Sequence, residues 1–143
     1  MTKRFVLLAS ALLAFAASPA WADTVKFWAS MSGATEVPAT KSEGAGTVNA
    51  TLDTATKVLS WDVAYWGLTG PATAAHFHGP ADATKAAGVV IPIAKAGDPV
   101  PYKGTATLTA EQMADLMAGK WYVNVHTAAN PPGEIRGQVM KAK

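Results

Sequence analysis

The sequence predicts an all-β protein, a Greek-key β-sandwich or barrel of about eight strands with one short helix at about residues 109–118. Three observations support this fold class. Short segments of alternating apolar and polar residues recur along the chain, and Gly, Pro or Asn ends nearly every one of them. A single segment has the spacing of an amphipathic helix. The chain also contains no cysteine, so packing rather than disulfides must hold the fold together.

The alternation that defines the strands is clearest in residues 58–66. Every second residue there is large and apolar, as a strand with one buried face requires: Leu59, Trp61, Val63 and Tyr65. The same criteria predict further strands at 25–31, 44–53, 72–78, 88–93, 102–108, 120–127 and 133–140. Four tryptophans are expected to fill the core, and one at the surface would indicate a binding patch: Trp28, Trp61, Trp66 and Trp121.

The predicted helix begins at a capping box. Thr109 and Gln112 are spaced so that each side chain can bond a free backbone amide of the first turn. Apolar residues follow at the i, i+3, i+4 spacing of one helix face, and Gly119 supplies a C-terminal stop. Met113, Leu116 and Met117 form this face, and its two methionines are predicted to be core contacts rather than thioether metal ligands.

Residues 1–22 have the pattern of a cleaved export signal. Lys3 and Arg4 precede an apolar run, and Ala-Trp-Ala at 20–22 has the small-x-small form that signal peptidase recognises. The run is too short to predict a membrane anchor, and no later stretch is apolar enough to span a bilayer. We therefore expect one domain over residues 23–143, located in the periplasm or secreted.

Removal of the predicted signal leaves a chain without net charge. Ten of the twelve basic residues remain against ten acidic ones, because Lys3 and Arg4 are lost. A neutral chain without a basic stripe does not favour nucleic acid or an anionic membrane surface as partner. The sequence also has no nucleophile elbow, phosphate-binding glycine loop or evident carboxylate pair, so it favours a binding protein over an enzyme.

All three histidines of the chain lie in two strand-like motifs, 75–80 and 122–127. Side chains alternate along a strand, so His76 and His78 share one face, and strand pairing can bring His126 beside them. Three imidazoles are a ligand set for copper or zinc, and the sequence therefore predicts a metal site. A second interpretation stays open, in which the histidines bond loop backbones and stabilise the adjacent turns.

The same alternation assigns these residues to faces of the sheet. Phe77 and Val125 are predicted to face the core, which sends the neighbouring histidines, including His126, to the outer, polar face. Glu134 and Arg136 fall on the outer face of the last strand, near His126. Two roles are open for this pair: a simple exposed cross-strand ion pair, or supporting residues that orient a ligand imidazole.

Four segments resemble motifs of the chordin-domain (CHRD) family: SGATEVP at 32–38, LTGPATAAHFHGPA at 68–81, YVNVHT at 122–127 and GEIRGQ at 133–138. The resemblance covers about residues 26–140. It implies a β-sandwich similar to copper–zinc superoxide dismutase, and it implies little about function.

In the dismutase family a His-x-His strand and a later strand histidine bind copper, and His76, His78 and His126 resemble them. An arginine near the C-terminus guides the anion there, and Arg136 is similar in position. This chain departs from that family because it has no fourth histidine, no zinc-binding His/Asp loop and no disulfide. These departures disfavour catalysis of dismutation.

The preferred hypothesis is an exported CHRD-domain protein that binds a single copper ion through the three histidines, for periplasmic copper handling; zinc is the second metal considered. One alternative is a metal-free structural or protein-interaction module whose partner is another periplasmic protein. Another is a copper-dependent oxidoreductase that consumes superoxide at an open site beside Arg136.

Overall fold

The structure is a computed structural model that describes residues 23–143; the predicted export signal, residues 1–22, lies outside this range. It contains one helix, α1 (Ala110–Met117), and eight strands: β1 (Thr24–Ser32), β2 (Ala45–Asp53), β3 (Val58–Trp66), β4 (Ala72–His78), β5 (Val89–Lys95), β6 (Tyr102–Thr107), β7 (Trp121–Thr127) and β8 (Ile135–Lys141). All strand pairs are antiparallel and form one sheet in the order β5-β4-β7-β8-β1-β2-β3-β6. The edge strands β5 and β6 contact each other, so the sheet curls into a nearly closed barrel. The predicted all-β class is confirmed.

The inner face of the sheet forms the apolar core. Alternate residues of each central strand point into it, and Leu59 and Val63 of β3 are fully buried as predicted. Aromatic rings meet across the interior: Trp61 packs edge-on against Phe77 at 5.4 Å between centroids, and Phe77 lies 5.7 Å from Trp121. Such contacts remove large apolar areas from water, which is the main source of stability in a chain without disulfides.

The helix has the predicted capping box and packs on the sheet. Thr109 Oγ1 accepts a hydrogen bond from Gln112 N (3.1 Å), and Gln112 Oε1 accepts one from Thr109 N (2.9 Å). Leu116 is buried, and the two methionines of the same face pack against the core. Gly119 follows with a φ of +72°, a left-handed conformation that favours glycine. Within residues 23–143 no helix is long and apolar enough to cross a membrane.

The prediction that all four tryptophans fill the core is wrong for two of them. Trp61 and Trp121 are buried, whereas Trp28 is 48% and Trp66 is 55% exposed. The reason is the alternation itself, because Trp28 stands between the buried residues Phe27 and Ala29 and must point outward. Trp66 ends β3, one residue beyond the inward-facing Tyr65.

The outer face of β4, β7 and β8 is not the solvent-exposed polar surface that the alternation predicts. Three connections, residues 33–44, 79–88 and 128–134, cover it. Backbone carbonyls of the last two accept hydrogen bonds from its side chains, and Thr35 of the first donates to the backbone of β8. Tyr122 and Asn124 are therefore buried although they face away from the core. The barrel wall thus has an apolar layer inside and a polar, loop-covered layer outside. We call the second the outer polar layer.

The edge of the sheet beside this layer is irregular. Strand β5 pairs with β4 through two shifts in register, and Pro92 of β5 stands opposite His76. Pro92 is exposed and carries no backbone N–H. Proline is tolerated here because β5 is an edge strand and not a central one.

Candidate metal centre

The structure brings the three predicted histidines together in the outer polar layer. His76 and His78 lie on β4, His126 lies on the adjacent strand β7, and a pairing of Ala74 with His126 sets their register. His76 Nδ1 is 3.0 Å from His126 Nε2. One ligand nitrogen from each of the three rings lies within 4.8 Å of the others. Two separate strand motifs therefore converge on one spot, as the sequence predicted.

Backbone carbonyls of the covering loops hold two of the rings. His78 Nδ1 donates to Ala87 O (3.0 Å), and His126 Nδ1 donates to Pro131 O (2.8 Å). A carbonyl oxygen only accepts, so the proton of each neutral ring is on Nδ1 and the lone pair is on Nε2. These bonds agree with the interpretation in which histidines stabilise turns. They also fix ring orientation in the manner found at metal-ligating histidines.

The third ring, His76, donates a hydrogen bond to His126. Since His126 Nε2 carries a lone pair, His76 Nδ1 must be the donor in the contact between them. This contact satisfies both nitrogens in the metal-free protein. It also means that His76 must move its proton to Nε2 before its Nδ1 can bind an ion.

One nitrogen of the cluster has no partner. His78 Nε2 is buried and makes no hydrogen bond, and the same is true of Asn124 Oδ1. Asn124 lies on β7 directly opposite His76. In the neutral state both unpartnered atoms are acceptors, and a buried acceptor without a donor costs roughly 1–3 kcal/mol. A proton on His78 Nε2 or a bound metal ion would each supply what these acceptors lack.

The electrostatic surroundings favour neutral imidazoles. Burial lowers the pKa of His76, and the neighbouring His126 and His78 lower it further. Burial also lowers the pKa of His78 and prevails over the nearby Ala87 carbonyl and Asn124 side chain, which raise it. The neutral ring is the form that binds a metal.

Arg136 supports the cluster through an aromatic ring and not through an ion pair. Tyr122 stacks on His78 with centroids 4.8 Å apart and planes inclined by 2°. The Cζ atom of Arg136 lies 3.5 Å from the centroid of the same Tyr122 ring. Strand β7 lies between β4 and β8, so Tyr122 stands between the imidazole and the guanidinium. The cation–π contact holds the ring against which His78 packs.

Glu134 and Arg136 are not the exposed ion pair that was one of the two sequence interpretations. Their exposed fractions are 0% and 2%. The only ion pair within residues 23–143 joins Lys103 to Asp62 (3.1 Å). The covering loops explain the difference, since Arg136 Nη2 donates to Asp82 O (3.0 Å) instead.

Glu134 joins three connections and does not contact an imidazole. Its carboxylate accepts hydrogen bonds from three loop residues and from Thr127 at the end of β7: Ser42 Oγ (2.6 Å), Thr69 N and Oγ1 (2.8 and 2.7 Å), Thr127 Oγ1 and Asn130 Nδ2 (3.2 Å). Burial raises its pKa, but the bonds from Ser42, Thr127 and Thr69 together lower it to about 2. We call Glu134 and its four donors the Glu134 junction. It fixes the loop that braces His126.

Two residues of the site region were not predicted as site residues. Period-two alternation places Asn124 on the outer face with His126, but the sequence alone indicates no role for it. Glu36 lies in the segment 32–38 that resembles a family motif, and its carboxyl is buried beside Asn124. No spacing rule indicates Glu36, because the loop that contains it has no regular period.

Comparison with known proteins identifies a family. The model of the CHRD domain family matches residues 27–139. No curated protein and no solved structure matches the chain significantly. The likeness to copper–zinc superoxide dismutase therefore stays a prediction.

Proposed function

Because the chain belongs to the CHRD domain family and carries three converging imidazoles, we propose that it is an exported protein that binds a single copper ion through His76, His78 and His126. Its role would be periplasmic copper handling. The observation that carries the proposal is the buried, unpartnered Nε2 of His78 beside the other two rings.

The donor set suits copper. Neutral imidazole nitrogen is a preferred ligand of copper and zinc, and three such ligands leave a coordination position open for exchange. Among divalent first-row metals, copper binds nitrogen sites most tightly, so a site of this composition favours copper over zinc. An open position suits a protein that takes up and releases its ion.

The distances fit after a small closing movement. Two nitrogens about 2.0–2.1 Å from one ion lie about 3 to 3.5 Å apart, and His76 Nδ1 and His126 Nε2 are already 3.0 Å apart. The full set of ligand nitrogens spans up to 4.8 Å, so a side chain must rotate inward by about 1 Å for one ion to contact all three. In the same step the proton of His76 moves from Nδ1 to Nε2, which frees Nδ1 for the ion.

Residues around the rings would orient them for the ion. The carbonyls of Ala87 and Pro131 keep the protons of His78 and His126 on the nitrogens that face the loops. Tyr122, backed by Arg136, packs on the His78 ring and limits its rotation. Removal of such supports typically lowers metal affinity by about 10–100-fold.

Export supports the role in copper handling but rests on a different part of the chain. The pattern of residues 1–22 is that of a cleaved export signal. The chain has no cysteine, so it offers no thiol that copper could oxidise in the periplasm.

Titration of residues 23–143 with Cu(II) and Cu(I) tests the proposal, with the protein free of affinity tags. We expect one equivalent to bind, and the variants His76→Ala, His78→Ala and His126→Ala to lose at least about tenfold in affinity. Glu43→Gln, a change at an exposed residue outside the site, is the matched control and should bind as the wild type does. Equal, weak and non-stoichiometric binding by wild type and His76→Ala would end the copper assignment.

A second candidate function is a metal-free interaction module, and the exposed pair Trp28 and Met140 favours it. The two residues stand opposite each other on β1 and β8, and Met140 is also exposed. Exposed apolar side chains of this size on neighbouring strands are typical of a binding patch. Partner binding that survives replacement of all three histidines, but not Trp28→Ser, would support this function and separate it from the first.

A further inference from the structure

A groove of about 320 Å³ crosses the outer face of β2, β3 and β6, strands that do not carry the histidines. Its volume is at the lower end of the range for ligand sites. The polar side chains that line it come from all three strands: Asn49, Thr51, Ser60, Asp62 and Lys103. Each of these residues is exposed or partly exposed, so a ligand in the groove can reach them.

Trp28 stands beside this groove on the neighbouring strand β1. It pairs with Asn49 of β2, which pairs in turn with Asp62 of β3, and directly paired residues point to the same face of a sheet. The indole is 48% exposed. Strands are about 4.8 Å apart, so Trp28 and Asp62 stand about 10 Å from each other across the face. An aromatic surface therefore adjoins a floor of polar side chains.

The two opposite charges of the groove compensate each other. Lys103 Nζ lies 3.1 Å from Asp62 Oδ2. The remaining polar groups are hydroxyls and an amide, which can donate and accept hydrogen bonds without carrying charge. Lys26 is exposed at the edge of the groove, opposite Thr51. The floor as a whole thus complements a ligand that is rich in hydroxyl groups and has no charge of its own.

We propose that this groove binds a neutral carbohydrate, with one pyranose ring on the indole of Trp28 and the next against Asn49 and Ser60. The face of a pyranose ring that carries C–H groups is apolar and packs on the electron-rich face of an indole, while the hydroxyls at the ring edge need donors and acceptors. The groove supplies both. The distance of about 10 Å from Trp28 to Asp62 is comparable to the length of a disaccharide.

A glycan fits this face better than a protein does. A stable protein interface buries about 800 Å² on each partner around an apolar centre. Here Trp28 and Met140 are the large apolar side chains, and the outward-facing residues next to them on β1, β2 and β3 are polar: Ser30, Thr47, Asn49, Thr51 and Ser60. The inference does not depend on copper binding. It gives the interaction module considered above a glycan as its ligand.

NMR titration of metal-free, ¹⁵N-labelled residues 23–143 tests the proposal. The neutral probes are the β-1,4-linked pentasaccharides of glucose and of N-acetylglucosamine, and the charged probe is a galacturonate pentasaccharide. We expect at least one neutral probe to shift the Trp28 indole N–H and the Asn49 side-chain amide in a saturable manner that does not depend on salt concentration. Tighter binding of the pentasaccharide than of the corresponding monosaccharide would identify a glycan chain as the ligand, and equal binding would identify a small sugar.

Variants decide whether Trp28 is responsible. Trp28→Ala should weaken sugar binding at least about tenfold, and Trp28→Tyr, which keeps an aromatic plane, should weaken it less. Asn49→Ala, at an exposed position, should weaken it about threefold or more and serves if the Trp28 variants do not fold. Trp66→Ala is the matched control, because Trp66 is an exposed tryptophan of β3 about 13 Å along the strand from Asp62. It should bind sugar as the wild type does.

The outcomes separate this proposal from the copper assignment and from a protein partner. Trp28→Ala should bind copper as the wild type does, so a loss of sugar binding and a failure of the copper site can be told apart. The proposal is overturned if the wild type binds neither neutral probe, if it binds only galacturonate in a salt-dependent manner, or if Trp66→Ala loses as much as Trp28→Ala. Shifts of the Trp28 signal with protein concentration alone would assign this face to contact between copies of the chain and would also overturn it.

Discussion

The Glu134 junction and the histidine cluster are two polar groups buried under the same loops, and they differ in how fully they are satisfied. Glu134 receives hydrogen bonds from all four donor residues around it, on both carboxylate oxygens. The histidine cluster leaves His78 Nε2 and Asn124 Oδ1 without partners.

This difference indicates different roles. A buried charge with complete hydrogen bonding is a structural element, because its removal strands several donors at once. A buried acceptor without a donor is rare in native proteins, and a bound ion, an ordered water or a functional role accounts for it where it occurs. We therefore expect changes in the Glu134 junction to affect stability, and changes in the histidine cluster to affect metal binding.

The largest effect should come from Glu134→Gln. The amide nitrogen would face donors that need an acceptor, so the free energy of unfolding should fall by about 2–4 kcal/mol. Urea unfolding measures this change, with the exposed Glu43→Gln as the control of identical chemistry. If both variants unfold at the same urea concentration, the junction has no structural role.

Copper should stabilise the wild type by an amount that the histidines determine. At a free ion concentration of about 100 times the dissociation constant, the gain is about 2.7 kcal/mol. His76→Ala should lose most of this gain at the same concentration while Glu134→Gln keeps it. Thermal unfolding with and without copper measures this gain. If copper raised the unfolding temperature equally in wild type and His76→Ala, the histidine cluster would not be the copper site.

Ser42→Ala should have a moderate effect. It removes the 2.6 Å hydrogen bond to Glu134 Oε1 but leaves the other donors in place, so the loss of stability should be about 1–2 kcal/mol. Ser60→Ala, at an exposed position of β3, is the matched control. If Ser42→Ala lost as much stability as Glu134→Gln, the hydrogen bonds of the junction would be cooperative and not independent of one another.

Acid should cause the smallest effect, and it should arise in the histidine cluster. The pKa values of His76 and His78 are lowered in the folded protein, so the unfolded chain takes up protons first as the pH falls through about 6.5. Metal-free protein should therefore be less stable at pH 5.5 than at pH 7.5. The double variant His76→Asn, His78→Asn should show a smaller difference between these pH values.

Glu134 does not contribute to that pH comparison. Its folded pKa of about 2 lies below the ordinary value of 4.5, so its stabilisation is complete above pH 4.5 and is lost as the pH falls from there towards 2. Unfolding measured at pH 3.5 should separate the two regions, because Glu134→Gln lacks this second loss. An equal loss in wild type and Glu134→Gln below pH 4.5 would assign the acid sensitivity to another group.

Local patterns in the sequence were enough to predict the barrel and the meeting of the histidines. Alternation placed Val63 and Val125 in the core, the capping box started α1 at the right residue, and period two put His76 and His78 on one face. These features depend on neighbours in sequence, and hydrophobic periodicity reports them directly.

The outer polar layer could not be predicted in the same way. Its burial arises from irregular connections that fold back over the sheet, and such segments have no period to read. The burial of Glu134 could not be predicted because its donors Ser42 and Thr69 are 92 and 65 residues away along the chain. The prediction for Trp28 was wrong because it followed the residue type, which favours the core, although the alternation places the side chain on the outer face.

Pro92 protects the β5 edge of the barrel against pairing with a strand from another copy of the chain. A free strand edge is a template on which a second sheet can grow, and β5 forms such an edge next to the candidate metal centre. At Pro92 the backbone has no hydrogen to offer an incoming strand, and the two shifts in register bend the edge away from a straight ladder. The β5 edge is therefore a poor template for a strand from another copy, although it lies beside the histidine-bearing strand β4.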